Sequence, residues 1–293
     1  MFMARNRPQE RKVSEREALR LGTLERRYDF HLGEAIRAAL QGSHDKAATH
    51  SGTALSISRE LYAGAADPAR RQAELAAALC NHARYGGILH ALALLTESAG
   101  HYAALAEADP AAYEVPRIDV LTRVALAADT GGDTPGAVGL LREVVRMYLQ
   151  APAANPAERD LGLARARFHL GRCLLKTGAV ADGLTEIDAG LALAEEATAR
   201  LGISLSGPGW LGLAPRYLQL AAPDWVAAAV RAMTLHAAAG EWESAAAAAD
   251  VAVRISGGLA DLGGDTLREA HEDIRARADV IWGQAEPQRT AAG

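Results

Sequence analysis

The chain has 293 residues and a formal net charge of −5, so it lacks the basic footprint that draws a protein to nucleic acid. No apolar run approaches the roughly 18–20 residues of a membrane span, and the N-terminal MFMARNRPQERK holds no apolar stretch long enough for a secretory signal. A cytoplasmic protein without nucleic-acid or membrane partners is therefore expected. Leu and Ala dominate and aromatics make up only 5%, while Gly and Pro punctuate long apolar-periodic stretches, which reads as all-helical. Lys12, Lys46 and Lys176 are the lysines among 31 Lys and Arg, an Arg bias that points to a high-GC bacterial source.

In chain order, residues 1–13 are polar and aperiodic and are expected to be disordered. Ser14 with Glu17 offers a capping box that opens a helix through 19–24, and periodicity resumes at 28–32 and stops at Gly42. The partner of that stretch is expected over 46–62. The next pair reads as 72–85 and 88–108 about a Gly86-Gly87 turn, ending at Asp109-Pro110. A third is 118–130 and 135–149 about Gly131-Gly132-Asp133, and a fourth is 161–177 and 181–201 about Gly178. Residues 202–223, rich in Gly and Pro around Trp210, read as an irregular insertion with at most one short helix. Asp224 is a candidate N-cap for a helix over 225–239, followed by Gly240, a helix over 244–255, and a closing helix over 266–282. The expected organisation is one helical repeat domain over 14–283, with 284–293 a polar tail.

One offset ties these elements together. Gly86, Gly132 and Gly178 are 46 residues apart, and the same step carries Ala91 to Ala137, Leu95 to Leu141 and Ile187, Glu97 to Glu143 and Tyr102 to Tyr148. Self-similarity at roughly 20–50 residues means a stacked array rather than one closed core. The fourth pair places Leu170-Gly171 on its first helix and Gly183, Ile187 and Gly190 on its second. The matching second-helix positions are Ala91, Leu95 and Ser98, then Ala137, Leu141 and Val144, then Ala245, Ala249 and Ala252. This pattern of small and large residues resembles the tetratricopeptide repeat (TPR) family in a long-helix bacterial form. The resemblance implies an all-α fold, a right-handed α-solenoid of antiparallel helix pairs forming a TPR-like superhelix. HEAT and armadillo repeats, at roughly 40–47 residues, share the longer period.

Motifs of catalysis are weak. The Gly-rich stretches at 131–133 and 202–212 lack the Lys-Ser/Thr of a phosphate loop. Ser204 and Ser206 lack the Gly-x-Ser-x-Gly spacing. His82 and His236 each precede a turn glycine by four residues without the carboxylate or histidine partner that a helix-borne metal site needs. Glu97 and His101 read as a solvated contact, and Cys80 and Cys173 as buried small apolar residues. No catalytic, cofactor-binding or metal-binding residue is expected, and the chain does not read as an enzyme.

One stripe stands out. Arg165, Phe168, Arg172 and Lys176 are spaced 3, 4 and 4 on the first helix of the fourth pair and share one face. The resemblance makes that face a concave groove wall and, by register from the turn glycines, adds Arg84, Asp119 and Thr122 to it. Arg forks pair with carboxylates, so the expected partner is an acidic or carboxylate-ended protein or peptide, with self-association through an uncapped end a further expectation. Arg167 and Glu186 are expected on the opposite face. The function expected is a non-catalytic scaffold or adaptor. The alternative is a regulatory sensor that takes a small molecule or signalling peptide in the groove, with the Trp210 insertion as its lid.

Overall fold

The computed structural model describes residues 15–65, 67–85, 87–205, 210–214 and 216–292. Residues 1–13, expected to be disordered, the capping role of Ser14, the turn at Gly86, Ser206 and the side chain of Trp210 lie outside the described residues. The chain divides into two compact units, Met1–Leu105 and Ala106–Gly293. The first holds α1 (Glu15–Leu40), α2 (His44–Ala63), α3 (Pro68–His82) with a 3-10 turn at Ala83–Tyr85, and most of α4 (Ile88–Ala108). In the second are α5 (Pro110–Thr130), α6 (Thr134–Gln150), α7 (Pro156–Lys176), α8 (Val180–Arg200), the single turn α9 (Trp210–Leu213), α10 (Arg216–Ala239), α11 (Trp242–Asp261) and α12 (Asp265–Ala292). No strand occurs among the described residues, and no described helix is long and apolar enough to cross a membrane.

Helix starts follow one local rule. Asp67, Asp109, Asp133 and Asn155 accept hydrogen bonds from the backbone N–H groups of Arg70, Ala112, Gly136 and Glu158, and each has a proline in the first turn that follows. The side chain satisfies one of the orphan donors, and proline lacks an N–H where none would be paired anyway. This rule moves two expected boundaries. Asp109-Pro110 and Asn155-Pro156 begin α5 and α7 rather than merely ending the helices before them, so α5 starts at 110 instead of 118. It does not hold at Asp224, which lies inside α10, after Pro223. An internal proline costs about 3 kcal/mol, and burial of Leu218, Ala222 and Trp225 at about 1.5–3 kcal/mol for each large side chain offsets it. Likewise α1 is one continuous helix, and α12 continues past 282 to Ala292.

Between helices the turn glycines do what the repeat spacing requires. Gly132 and Gly178 have φ of 93° and 86°. At each, the glycine N–H and the next N–H return to carbonyls of the last turn, as in Gly178 to Leu175 at 3.2 Å and Ala179 to Leu174 at 3.0 Å. This left-handed helix end reverses the chain tightly, so successive helices pack antiparallel.

In the second unit α5 packs on α6, α6 on α7, α7 on α8, α10 on α11 and α11 on α12, while α7 also touches α5 and α10. The first helices of successive pairs are thus neighbours, and the packing is an all-α solenoid of the tetratricopeptide-like kind. Ala137, Leu141, Val144 and Tyr148 of α6 are buried against Ile118 and Ala125 of α5 and Ala166, Leu170 and Cys173 of α7. α7 approaches α8 closely. A Cβ on Gly171 would stand 2.6 Å from the Gly183 carbonyl oxygen and 2.7 Å from Ile187, and one on Gly190 would stand 2.6 Å from the Phe168 ring.

Gly171→Ala is therefore expected to lower stability by about 1–3 kcal/mol through overpacking. Gly139→Ala, in an exposed helical position with no atom within 4 Å, is expected to raise it by about 0.5–1 kcal/mol. Thermal melts read both, and equal effects of one sign would contradict the packing described.

Candidate functional site

The stripe on α7 is present, but its charges are committed. Arg165 pairs with Asp119 of α5, which also accepts from Arg123 at 3.4 Å. Asp129, at the end of α5 with its carboxylate only 3% exposed, accepts from Lys176 Nζ at 2.7 Å, Arg172 at 3.3 Å and Thr134 Oγ1 at 2.9 Å. Burial alone would push the Asp129 carboxyl up, but the hydrogen bonds from Lys176 and Thr134 and the charges of Lys176 and Arg172 outweigh it and hold it below the ordinary carboxylate value. Arg172 and Lys176 keep 49% and 50% of their side chains exposed, so each covers Asp129 and still presents donors to solvent.

The remaining stripe residues divide differently. Thr122 is buried, and its hydroxyl donates to the Ile118 carbonyl one turn earlier. Phe168 is buried with its ring over Gly190. Arg84 lies exposed in the 3-10 turn of the first unit. Arg167 and Glu186 form an ion pair of 2.7 Å between α7 and α8. Reversing Arg172 and Lys176 would set two new carboxylates against a buried one, so that substitution disturbs the fold as well as the surface field.

Beside the stripe, α7, α8 and α10 enclose a cavity of about 340 Å³. On α10 Asp224, Ala227, Ala228 and Arg231 follow the i, i+3, i+4, i+7 pattern of one helical face, and the two alanines leave the space that larger side chains would fill. Phe168, Leu175 and Ile187 supply the apolar wall, and His169, Arg172 and Lys176 complete the lining. His169 is 4% exposed. Its Nε2 lies 3.5 Å from Asp224 Oδ2 and makes no hydrogen bond among the described residues. Burial, helped by the charges of Arg165 and Arg172, holds its pKa below the ordinary imidazole value despite Asp224. Arg231 is exposed and forms no ion pair among the described residues.

Asp129, His169, Asp224 and Arg231 were not singled out as site residues by the sequence reading. A usable signal existed for the first: Asp119 stands 46 residues before Arg165, and Asp129 stands 43 and 47 before Arg172 and Lys176. Opposite charges one repeat apart meet across neighbouring first helices. His236 of α10 instead meets a second helix, with Nε2 3.1 Å from Asp188 of α8, and its Nδ1 lies 2.6 Å from Glu241 just before α11. His82 meets Ser51 Oγ at 2.9 Å instead. Glu97 pairs with Arg59 at 3.0 Å rather than with His101, whose ring packs edge-on against Tyr62. Cys80 and Cys173 are buried thiols, and burial raises the pKa of Cys173. Among the described residues no group of three or more His, Cys, Asp or Glu is arranged to hold a metal.

No protein-family model matches the chain, and no curated protein sequence matches it. Among solved structures, BtubC (BKLC) from P. vanneervenii is similar over 85% of this chain and 92% of that one, at 13% identity and a TM-score of 0.50. Two structures of nearly identical TPR-like repeats from a Podosopora anserina kinesin light chain align over 92% of this chain and 98% of theirs, at 17% and 16% identity and a TM-score of 0.40. The likeness to BtubC is one of fold, without bearing on chemistry or partner.

His236 sets a pH dependence. Burial would lower its pKa, but the hydrogen bonds to Glu241 and Asp188 and their charges prevail and raise it. Its contribution to stability is then full below the ordinary imidazole value and is lost as pH rises through the raised one. The difference in melting temperature between wild type and His236→Gln should be largest near pH 5–6 and shrink toward about pH 8. A difference that stays constant or grows with pH would contradict this.

Proposed function

We propose that the chain is a non-catalytic scaffold that binds an acidic protein or peptide across the face formed by α5, α7 and α10. The observation that supports it is the set of ion pairs joining α5 to α7, Asp119 with Arg165 and Asp129 with Arg172 and Lys176. They hold long side chains in register with half of two cations still exposed. A surface ordered before binding loses less entropy on association. Arg231 of α10 adds an exposed cation that forms no ion pair among the described residues. The binding face of this reading is Asp119, Arg165, Arg172, Lys176 and Arg231, with Phe168 and Thr122 supporting it from beneath. Two buried thiols agree with work in a reducing compartment such as the cytoplasm.

The nearest approach to catalytic geometry favours the non-catalytic reading. Ser51 and Ser256 meet His82 and His271 at 2.9 and 2.8 Å, but each hydroxyl also donates its one proton to a carbonyl of its own helix, Ala48 and Val253. Each serine thus accepts from the imidazole, the reverse of nucleophile activation. Ser51 and Ser256 each precede a glycine on which the imidazole rests, Gly52 and Gly257, so the motif clasps one helix to the next.

The test is affinity capture from the source cell followed by calorimetry on the captured partner. Arg231→Glu, which leaves Asp129 covered, should weaken binding about ten- to a hundredfold, the loss of one charge-assisted contact of about 1.5–3 kcal/mol. The paired change Arg167→Ala with Glu186→Ala should leave binding unchanged. Equal binding by Arg231→Glu and wild type would overturn the assignment.

A further inference from the structure

The cavity between α7, α8 and α10 has an apolar middle and two polar places. Phe168, Leu175 and Ile187 line one side, and Ala227 and Ala228 of α10 line the other. Its volume of about 340 Å³ lies within the range that small molecules occupy, and at about 30 Å³ for each water of the liquid it has room for roughly ten non-hydrogen atoms. One polar place is cationic: Arg231 is exposed and forms no ion pair among the described residues, and Arg172 and Lys176 stand half exposed on the α7 side while they cover Asp129. The other is the buried His169 ring, whose Nε2 makes no hydrogen bond among the described residues, and a buried polar nitrogen is costly to leave without a partner. His169 stands beside Asp224, and Asp224 precedes Arg231 by two turns of α10, about 10 Å along the axis. The orphaned nitrogen and the free guanidinium therefore lie toward opposite ends of the apolar stretch. Asp224 itself has a further partner of its own and enters only as wall.

From this we infer that the cavity binds a small aromatic hydroxy-acid, its carboxylate on Arg231 and Arg172, its ring over Ala227, Ala228 and Phe168, and its phenolic hydroxyl on His169 Nε2. The carboxylate matches the fork of a guanidinium. Arg172 supplies its share without abandoning Asp129, because the guanidinium carries five N–H donors and only one nitrogen is engaged there, at 3.3 Å. The ring meets apolar atoms, so its burial adds to affinity without a polar demand. It also holds its two substituents at a fixed separation and has fewer rotors to immobilise than a saturated chain of the same size. With the hydroxyl para to the acid arm, the two polar groups stand at opposite ends of the ring, as His169 and Arg231 do of the cavity. A hydroxyl both donates and accepts, so it serves Nε2 whichever ring nitrogen carries the proton. A C-terminal tyrosine of a protein brings the same two groups, but its peptide amide would enter the apolar middle without a partner there.

Calorimetry on the full chain with para-hydroxyphenylacetate tests this, beside phenylacetate, which lacks the hydroxyl, para-hydroxyphenylethanol, which lacks the carboxylate, and N-acetyltyrosine. Saturable one-to-one binding of para-hydroxyphenylacetate is expected, with each of the other three weaker by roughly tenfold or more. In His169→Leu, para-hydroxyphenylacetate and phenylacetate should bind alike, and their retained binding would show the cavity intact. In Arg231→Gln the hydroxy-acid should lose roughly tenfold and approach the alcohol, while circular dichroism shows the variant as helical as wild type. Arg231 is exposed, so this variant keeps the test decisive whatever His169→Leu does to the packing. Absence of saturable binding by wild type overturns the inference, as does equal binding of the acid with and without its hydroxyl, or a carboxylate preference that survives Arg231→Gln. Tighter binding of N-acetyltyrosine assigns the cavity to protein C-termini and likewise overturns it. The inference stands apart from the scaffold reading, since binding of the hydroxy-acid can fail while Arg231→Glu still loses the captured partner.

Discussion

The structure of the second unit depends on how closely α7 can approach α8. Gly171 and Gly190 carry no Cβ where one would strike the Gly183 carbonyl, Ile187 and the Phe168 ring, so the two backbones meet and the side chains beside them interdigitate. That contact fixes the rotation of α7 about its own axis. With 171 and 190 at the crossing, Leu170, Cys173 and Leu174 turn into the core shared with α5 and α6, and Arg165, Arg172 and Lys176 are left to meet α5. Phe168 takes part in both arrangements, since its ring packs on Gly190 and also walls the cavity.

Electrostatics then links one pair to the next. A carboxylate as buried as that of Asp129 is expensive without partners, and Lys176, Arg172 and Thr134 supply them. Because the two cationic partners, Arg172 and Lys176, come from the next first helix, the cost of burying the charge is met in full only when α5 and α7 stand in register. Asp188, His236 and Glu241 repeat the idea between α8, α10 and α11. Apolar burial supplies most of the stabilisation in such an array, while these polar contacts choose among the sliding registers that a Leu- and Ala-rich surface would otherwise allow.

Much of this was legible in the sequence, for reasons that differ between elements. The 46-residue offset and its glycines gave the helix pairs of the second unit because a tight left-handed turn needs Gly at one fixed place per repeat, and Gly132 and Gly178 occupy it. The start of α5 was misplaced because Asp109-Pro110 ends one helix and caps the next without a loop. The start of α10 was misplaced because Pro223 suggested a boundary, whereas the burial of Leu218 and Trp225 carries the helix through it. The stripe on α7 was visible from its 3, 4, 4 spacing. Its neutralisation was not, since partners of a charge come from other helices and a single-helix pattern says nothing of them. The cavity was also hidden, being made by what Ala227 and Ala228 lack.

The central claim is that ion pairs one repeat apart lock neighbouring first helices together, and a double-mutant cycle on Asp129 and Lys176 tests it most directly. Denaturant unfolding of wild type, Asp129→Asn, Lys176→Met and the double variant should give a coupling of at least about 0.5 kcal/mol, as for residues sharing one network. A coupling indistinguishable from zero would show that the pair is an incidental surface contact, and that apolar packing alone sets the register.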